Sequence, residues 1–211
     1  MRRFVLLMVV AVVMLVGACS DPAADKSKAV TGEATQVASP AAKAQGQKYL
    51  ITPQTSKVEF VGSKVTGSHN GSFGDFSGQI DYAATTEQSH VNIVIKTESL
   101  TTDTPDLTKH LKTADFFDVA KFPEATFVST SIKPGGEKGA SHTITGNLTL
   151  HGVTKAVTFP ATINVTPETA TVDSTFSINR KDFGINYAGQ ADNLIRDDVV
   201  LKLTIRANKA S

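Results

Sequence analysis

The chain has 211 residues, 40% of them hydrophobic, with 21 basic and 20 acidic side chains. This near-neutral balance supplies no strong field for nucleic acid or for an anionic lipid surface. The single cysteine allows no internal disulfide, so stability has to come from a hydrophobic core. A nucleic-acid-binding protein and a disulfide-stapled scaffold are therefore excluded.

The first nineteen residues predict an exported lipoprotein. A basic start is followed by an uninterrupted apolar run over residues 4–16, which is too short to span a bilayer and typical of a secretory signal. Gly17 and Ala18 directly precede Cys19, an arrangement that resembles a bacterial lipobox. We expect residues 1–18 to be a signal peptide and Cys19 to carry acyl chains such as palmitate. The alternative is an ordinary signal peptide with a chance cysteine.

Residues 19–47 predict a flexible linker behind the acylated cysteine. Between Ser20 and Gln47 there is no aromatic residue, and Val30 and Val37 are the only larger aliphatics. Such a composition buries too little apolar surface to offset the entropy of ordering. A flexible chain of this length spans about 30 Å. Because Ser20 rather than an acid follows Cys19, resemblance to the sorting preference of envelope lipoproteins favours the outer membrane, with the protein facing the periplasm.

Residues 48–208 predict a single all-β domain. Apolar and polar residues alternate near residues 91–96, 143–150, 157–165 and 199–206, a pattern typical of antiparallel strands with one buried face. Turn residues such as Asn70-Gly71 and His151-Gly152 separate the strands. Six to eight strands at these spacings favour a sandwich or a barrel.

One segment breaks the alternation and predicts a short helix over residues 105–114. Thr104 offers a capping hydroxyl, Pro105 suits the first helical position, and Asp106 suits the first turn. Leu107 and Leu111 then follow at helical spacing.

No motif in the sequence predicts an enzyme, a metal site or a cofactor. The five histidines (His69, His90, His110, His142 and His151) have no metal-ligand spacing among them. Nucleophile-elbow, phosphate-loop, dinucleotide-binding and zinc-protease motifs do not occur.

Phenylalanines gather along the chain as Phe73 with Phe76, Phe116 with Phe117, Phe122 with Phe127, and Phe176 with Phe183. They are consistent with an ordinary core. They are equally consistent with the lining of a closed sheet of about eight strands that encloses one apolar ligand. Composition alone does not choose between these interpretations.

Four sequence blocks together resemble the YceI-like family of polyisoprenoid-binding, lipocalin-like periplasmic proteins. In chain order they are residues 64–78 (KVTGSHNGSFGDFSG), 110–118 with 122–127 (HLKTADFFD and FPEATF), 146–155 (GNLTLHGVTK) and 177–185 (SINRKDFGI). The resemblance implies an eight-stranded antiparallel lipocalin-like barrel with one short helix packed on it. It also implies binding, sequestration or transfer of a long-chain isoprenoid or similar amphiphilic lipid in the bacterial envelope, without catalysis or cofactor.

With this resemblance, cavity-lining roles are predicted for Phe73, Phe76, Phe116, Phe117, Phe127, Leu148, Phe176 and Phe183. Head-group contacts are predicted for His69, Lys109, His110 and Arg180. For Arg180 the simpler interpretation is an ion pair with Asp182 that fixes a barrel corner. The partners expected are an apolar lipid and, through Cys19, a membrane, and a homodimer is left open.

Two alternatives remain at this point. One is an envelope structural or stress-response module whose barrel is packed with its own side chains. The other is an enzyme that acts on a lipid head group, which requires His69, His110 and Arg180 to meet at one mouth.

Overall fold

The computed structural model describes residues 21–35, 46–191 and 193–210. The predicted signal peptide and Cys19 lie outside the described residues. Within them, none of the helices is long and apolar enough to cross a bilayer.

Over the described ranges the chain forms fifteen strands and one α-helix. The strands are β1 (Ser27–Lys28), β2 (Val30–Glu33), β3 (Gln47–Ile51), β4 (Lys57–Lys64), β5 (Gly67–Phe73), β6 (Phe76–Tyr82), β7 (His90–Lys96), β8 (Leu100–Thr102), β9 (Glu124–Pro134), β10 (His142–Leu150), β11 (Val153–Val165), β12 (Thr169–Asn179), β13 (Gly189–Gln190), β14 (Asn193–Leu194) and β15 (Asp198–Lys209). The helix α1 spans Pro105–Leu111, and 3₁₀ turns span Thr86–Gln88, Thr97–Ser99, Glu137–Gly139 and Arg180–Phe183.

The sheet closes on itself as an eight-stranded antiparallel barrel, as predicted. The ring runs β3–β6–β7–β9–β10–β11–β12–β15 and returns to β3. Beside the ring, β4 pairs with β15, β5 pairs with β4 and β8 pairs with β5, and these strands extend the wall. Each strand of the ring pairs with a ring strand on both sides, and alternate side chains of each strand point inward.

The helix forms where the sequence predicts it but ends earlier than expected. Beyond Leu111 the chain continues in turns, with the Thr113 amide donating to the carbonyl oxygen of His110 at 3.0 Å. The expected cap is wrong, because Thr104 makes no side-chain bond to the first turn. Its Oγ1 donates instead to Asp103 Oδ1 at 3.2 Å.

Two apolar clusters form the interior. The larger one fills the barrel and includes buried residues of nearly every strand in the ring. The smaller one lies under the helix and contains Phe60, Leu100, Leu111, Phe116 and Ile185. The helix therefore covers one end of the barrel, and that end carries the site described below.

The prediction of a flexible linker is wrong for its N-terminal part, which contains β1 and β2. Strands β11 and β12 pair with each other only over residues 162–165 and 170–173. Where they diverge, β1 pairs with β12 and β2 pairs with β11. Ala23, Ser27 and Ala29 are 8%, 4% and 7% exposed. Small side chains and backbone hydrogen bonds hold this segment, a contribution that a search for large aliphatic residues does not detect.

Candidate functional site: an apolar cavity and its mouth

The barrel interior contains a cavity of about 160 Å³. Of the described residues around it, all are apolar except Arg180, and six phenylalanine rings contribute, from Phe60, Phe73, Phe117, Phe127, Phe159 and Phe176. Such a surface cannot satisfy a polar solute, so the cavity suits hydrocarbon.

The aromatic lining depends on glycines that let rings lie against the backbone. A Cβ at Gly146 would lie 2.3 Å from the ring of Phe127, and a Cβ at Gly71 would lie 2.1 Å from the ring of Phe60. Both glycines occupy strands at positions where any side chain would displace the ring. They therefore fix the positions of two lining rings.

A second space, the mouth groove, adjoins the cavity. It measures about 340 Å³ and lies between α1, the end of β4 and residues 185–195. Phe60, Arg180, Ile185 and Val199 border both spaces. The mouth groove is partly polar, because Lys64, His69, His110 and Tyr187 also border it. An apolar interior with one partly polar mouth results.

Arg180 holds the loop that forms one wall of the mouth groove. Its side chain is buried, and Nη1 donates to the carbonyl oxygen of Ile185 at 2.7 Å. Nε donates to the carbonyl oxygen of Arg196 at 3.1 Å, and Nη2 lies 3.4 Å from that of Ile195 and 3.3 Å from Asp197 Oδ1. Burial lowers the pKa of this guanidinium, against the opposing charge of Asp197. With these acceptors in place, Arg180 acts chiefly as a structural residue.

The predicted Arg180–Asp182 ion pair is wrong, because the carboxylate that pairs with Arg180 is Asp197. Asp182 lies in the 3₁₀ turn and accepts a hydrogen bond from Thr31 Oγ1 at 2.7 Å. It thereby ties the N-terminal segment to the barrel.

The two histidines at the mouth groove each pair with a carboxylate. His69 Nδ1 lies 2.9 Å from Asp103 Oδ1, and the Asn70 amide donates to Asp103 Oδ2 at 2.9 Å. The Asn70 amide and then the His69 ring hold the pKa of the Asp103 carboxyl below its usual value.

His110 Nε2 lies 2.8 Å from Asp115 Oδ2, and its ring meets those of Phe116 and Tyr187 edge-on. The groove rim therefore offers imidazole groups beside aromatic surface.

The predicted lining residues divide into three groups. Those at the cavity are Phe73, Phe117, Phe127, Leu148 and Phe176. Phe116 borders the mouth groove instead. Phe76 and Phe183 differ from the prediction, because both are buried in the larger core cluster outside the set that surrounds the cavity. Phe183 is fully buried and is the last residue of the 3₁₀ turn.

The predicted head-group residues also divide. His69, His110 and Arg180 meet around the mouth groove. Lys109 does not, because it lies on the outer face of α1 with 80% of its side chain exposed, 3.5 Å from Asp106. The described residues include no group of three or more His, Cys, Asp or Glu side chains arranged to hold a metal ion.

Sequence reasoning missed several residues of the site. Phe60 and Phe159 line the cavity, and the alternation around each could have found them, as in Val58-Glu59-Phe60. Tyr187 and Ile185 lie on an irregular loop that has no periodic signal.

An eight-stranded antiparallel barrel that encloses an apolar cavity below one partly polar mouth defines a lipocalin-like binding protein. Residues 49–207 match the family model described as the YceI-like domain. The chain belongs to the YceI family.

Curated relatives agree with this assignment. A UPF0312 protein of Pseudomonas putida strain W619 is 42% identical over 137 residues, which cover 62% of this chain and 70% of the relative. A UPF0312 protein of Pseudomonas syringae pv. tomato is 40% identical over 140 residues, covering 63% and 72% respectively.

Solved structures share the fold. BcnA of Burkholderia cenocepacia superposes with a TM-score of 0.63 at 27% identity, covering 74% of this chain and 99% of BcnA. A polyisoprenoid binding domain from Saccharophagus degradans superposes with a TM-score of 0.62 at 18% identity, covering 78% and 99%. At that identity the second likeness concerns the fold alone.

Proposed function

We propose that this protein binds a long-chain isoprenoid or similar amphiphilic lipid, with an apolar chain end in the cavity and the polar head at the mouth groove. The observation that carries the proposal is the cavity wall, which is apolar except for Arg180 and adjoins a partly polar groove. The choice of ligand class follows the resemblance of the four sequence blocks to polyisoprenoid-binding proteins of the YceI-like family, and a domain described as polyisoprenoid-binding shares the fold. The role is binding, sequestration or transfer rather than catalysis.

Burial of hydrocarbon supplies the affinity in this proposal. Each Å² of apolar surface removed from water contributes about 25 cal/mol, so several isoprene units need few polar contacts. His69, His110 and Tyr187 at the groove rim add directional contacts for an oxygen-bearing head. Because Arg180 already donates to backbone carbonyls, its contribution to head-group binding is small.

The size of the spaces fixes how such a ligand would lie. The cavity of about 160 Å³ is comparable to an engineered cavity of about 150 Å³ that binds benzene. Ordinary ligand pockets measure roughly 300–1,000 Å³. A long chain therefore places its end in the cavity and continues through the mouth groove, past the rings of Phe60 and Phe117. Deeper entry requires these rings to move.

The proposed location is the bacterial envelope. Cleavage before Cys19 and acylation of its thiol would anchor the protein to a membrane, and Ser20 favours the outer membrane with the barrel in the periplasm. An anchored barrel suits capture and hand-over of lipid close to that membrane.

Native mass spectrometry of the protein purified under mild conditions tests the binding proposal. We expect a bound hydrophobic mass, or uptake of an added C15 isoprenoid alcohol. Leu148→Trp puts a large indole ring where the smaller Leu148 side chain borders the cavity, and it should abolish the bound mass. Leu50→Trp is the matched control, because Leu50 is exposed and lies outside the cavity. A wild-type protein that neither carries nor takes up a ligand would contradict the proposal.

The small cavity favours a second candidate, an envelope structural or stress-response module whose barrel needs no ligand. In that case both the wild-type protein and Leu148→Trp show only the mass of their own ligand-free chain, and the variant's only effect is on stability.

A further inference from the structure

The described chain begins at the mouth end of the barrel, the end at which β12 finishes and β15 starts. The Asp21 carboxylate lies 3.3 Å from Arg196 Nη1 and accepts a hydrogen bond from the Ala23 amide at 2.9 Å. Arg196 follows β14 on the loop that closes the mouth groove. The N-terminal segment therefore starts beside the mouth, even though it continues along the barrel wall.

Little chain separates Cys19 from the docked segment. Cys19 precedes Asp21 by two residues, and two residues of extended chain span at most about 7 Å. The linker predicted from composition would have separated the anchor from the barrel by about 30 Å. Docking of residues 21–35 removes that separation.

An independent feature marks the same end. Val65 and Leu194 are 48% and 49% exposed, and they are two of the four large hydrophobic side chains exposed among the described residues. Val65 lies in the turn between β4 and β5 and Leu194 lies in β14, and the Val65 amide donates to the carbonyl oxygen of Leu194 at 3.1 Å. Both border one cleft with Asp21 and Arg196.

The other two exposed apolar residues lie elsewhere. Val30 is on β2, on the outer wall of the barrel. Leu50 pairs with Asn208 near the far end of β15, roughly 30 Å along that strand from its start at Asp198. The mouth end is thus the place where an exposed apolar pair and the start of the docked segment coincide.

We propose that the mouth end docks on the surface of the bilayer that holds the Cys19 acyl chains, with Val65 and Leu194 inserted among the lipid head groups. This inference rests on the anchoring part of the proposed function. The cleft is bordered by four cations and three acids, and every cation is paired: Lys28 with Asp198, Arg180 and Lys181 with Asp197, and Arg196 with Asp21. Docking therefore depends on the acyl chains and on the apolar side chains of Val65 and Leu194 rather than on anionic lipid.

The orientation deepens the lipid-binding proposal. The chain neighbours of Val65 and Leu194 border the mouth groove, namely Lys64, Asn193 and Ile195. A groove held against the leaflet takes up a lipid chain without exposing it to water. The protein then exchanges lipid with the membrane to which it is anchored.

Single tryptophans provide the test, because the chain has none of its own. Full-length Val65→Trp, Leu194→Trp and, as the matched control, Leu50→Trp are produced in a bacterium that processes lipoproteins and are reconstituted in phosphatidylethanolamine–phosphatidylglycerol vesicles. Some vesicles carry nitroxide-labelled lipids. We expect nitroxide lipids to quench tryptophan fluorescence at least twofold more strongly at positions 65 and 194 than at position 50. When each variant also carries Cys19→Ser, we expect this quenching to be lost.

Each outcome has a separate meaning. Proteins that float with vesicles but are quenched equally, or most strongly, at position 50 overturn the docking inference while the anchor stands. Proteins that do not float overturn the anchor and the inference together, while the mass-spectrometric test of lipid binding is unaffected. A dimer in sedimentation analysis that is lost in Val65→Trp and Leu194→Trp, together with no lipid quenching, would overturn the docking inference and assign the apolar pair to a second copy of the chain.

Discussion

The rings of Phe159 and Phe176 lie parallel across the barrel interior, with centroids 4.2 Å apart and 7° between their planes. Both line the cavity, yet they are only 4% and 2% exposed. The same side chains thus form part of a candidate binding surface and part of the packed core.

Phe176→Ala tests the structural share of that double role. Removing a buried aromatic ring should lower the free energy of unfolding of the ligand-free protein by about 3–5 kcal/mol. Chemical denaturation measures the loss. Phe122→Ala is the comparison, because Phe122 is only half-buried, and its loss should be smaller. A loss below about 1 kcal/mol at Phe176 would show that the ring does not support the core.

Arg180→Met should destabilise the protein by at least about 3 kcal/mol, because the carbonyl oxygens of Ile185, Ile195 and Arg196 lose their buried donor, at roughly 1–3 kcal/mol for each unsatisfied group. Arg206→Met is the matched control. Arg206 forms a bidentate pair with Asp173, but its side chain is 40% exposed, so its loss should be under about 1 kcal/mol. Equal losses in denaturant titrations would show that burial of Arg180 contributes nothing specific.

Asp103 should make stability at the mouth groove dependent on pH. Its pKa is lowered on folding from a usual value of 3.8 by the Asn70 amide and by His69. Its contribution is therefore fully present above about pH 4 and is lost as the pH falls through the lower folded pKa. We expect Asp103→Asn to lower the Tm at pH 6, and we expect its difference from the wild-type Tm to shrink as the pH falls below the usual pKa of 3.8. A difference in Tm that stays constant across this range would contradict the assignment.

Ala29→Lys tests the docking of the N-terminal segment. Ala29 is 7% exposed in the larger core cluster, whereas its neighbour Val30 is 70% exposed. A lysine at position 29 cannot be accommodated and should release β1 and β2, while Val30→Lys should leave them in place. Hydrogen exchange of the β2 amides provides the measurement, and release should raise their rates at least tenfold. Slow exchange in Ala29→Lys would show that another contact holds the segment.

The antiparallel strands and the helix could be predicted from the sequence because their signals are local. Alternation in β10, β11 and β15 reports which face is buried, and Pro105 with Leu107 and Leu111 marks the helix. The family resemblance supplied the closure of the sheet. Alternation cannot supply it, because the pairing of Asn208 with Leu50 depends on contacts between opposite ends of the domain.

The candidate site was less predictable. Phe76 and Phe183 have the same composition signal as Phe73 and Phe176, and only their places in the closed barrel separate core from cavity. Arg180 was misassigned because Asp182 is near it in sequence, whereas Asp197 reaches it through the fold. The docking of residues 21–35 rests on backbone pairing with β11 and β12, which side-chain hydropathy does not record.

The pairing of β1 and β2 also sets an order for folding. Lys28 meets Asp198, 170 positions later in the chain, and β1 pairs with β12. A chain is made from its N-terminus, so these strands are synthesised first and wait longest for their partners. Contacts between such distant positions form late because loop closure must precede them. The first strands to be synthesised, β1 and β2, are thus the last to pair, and they complete the barrel wall only after β15 has been made.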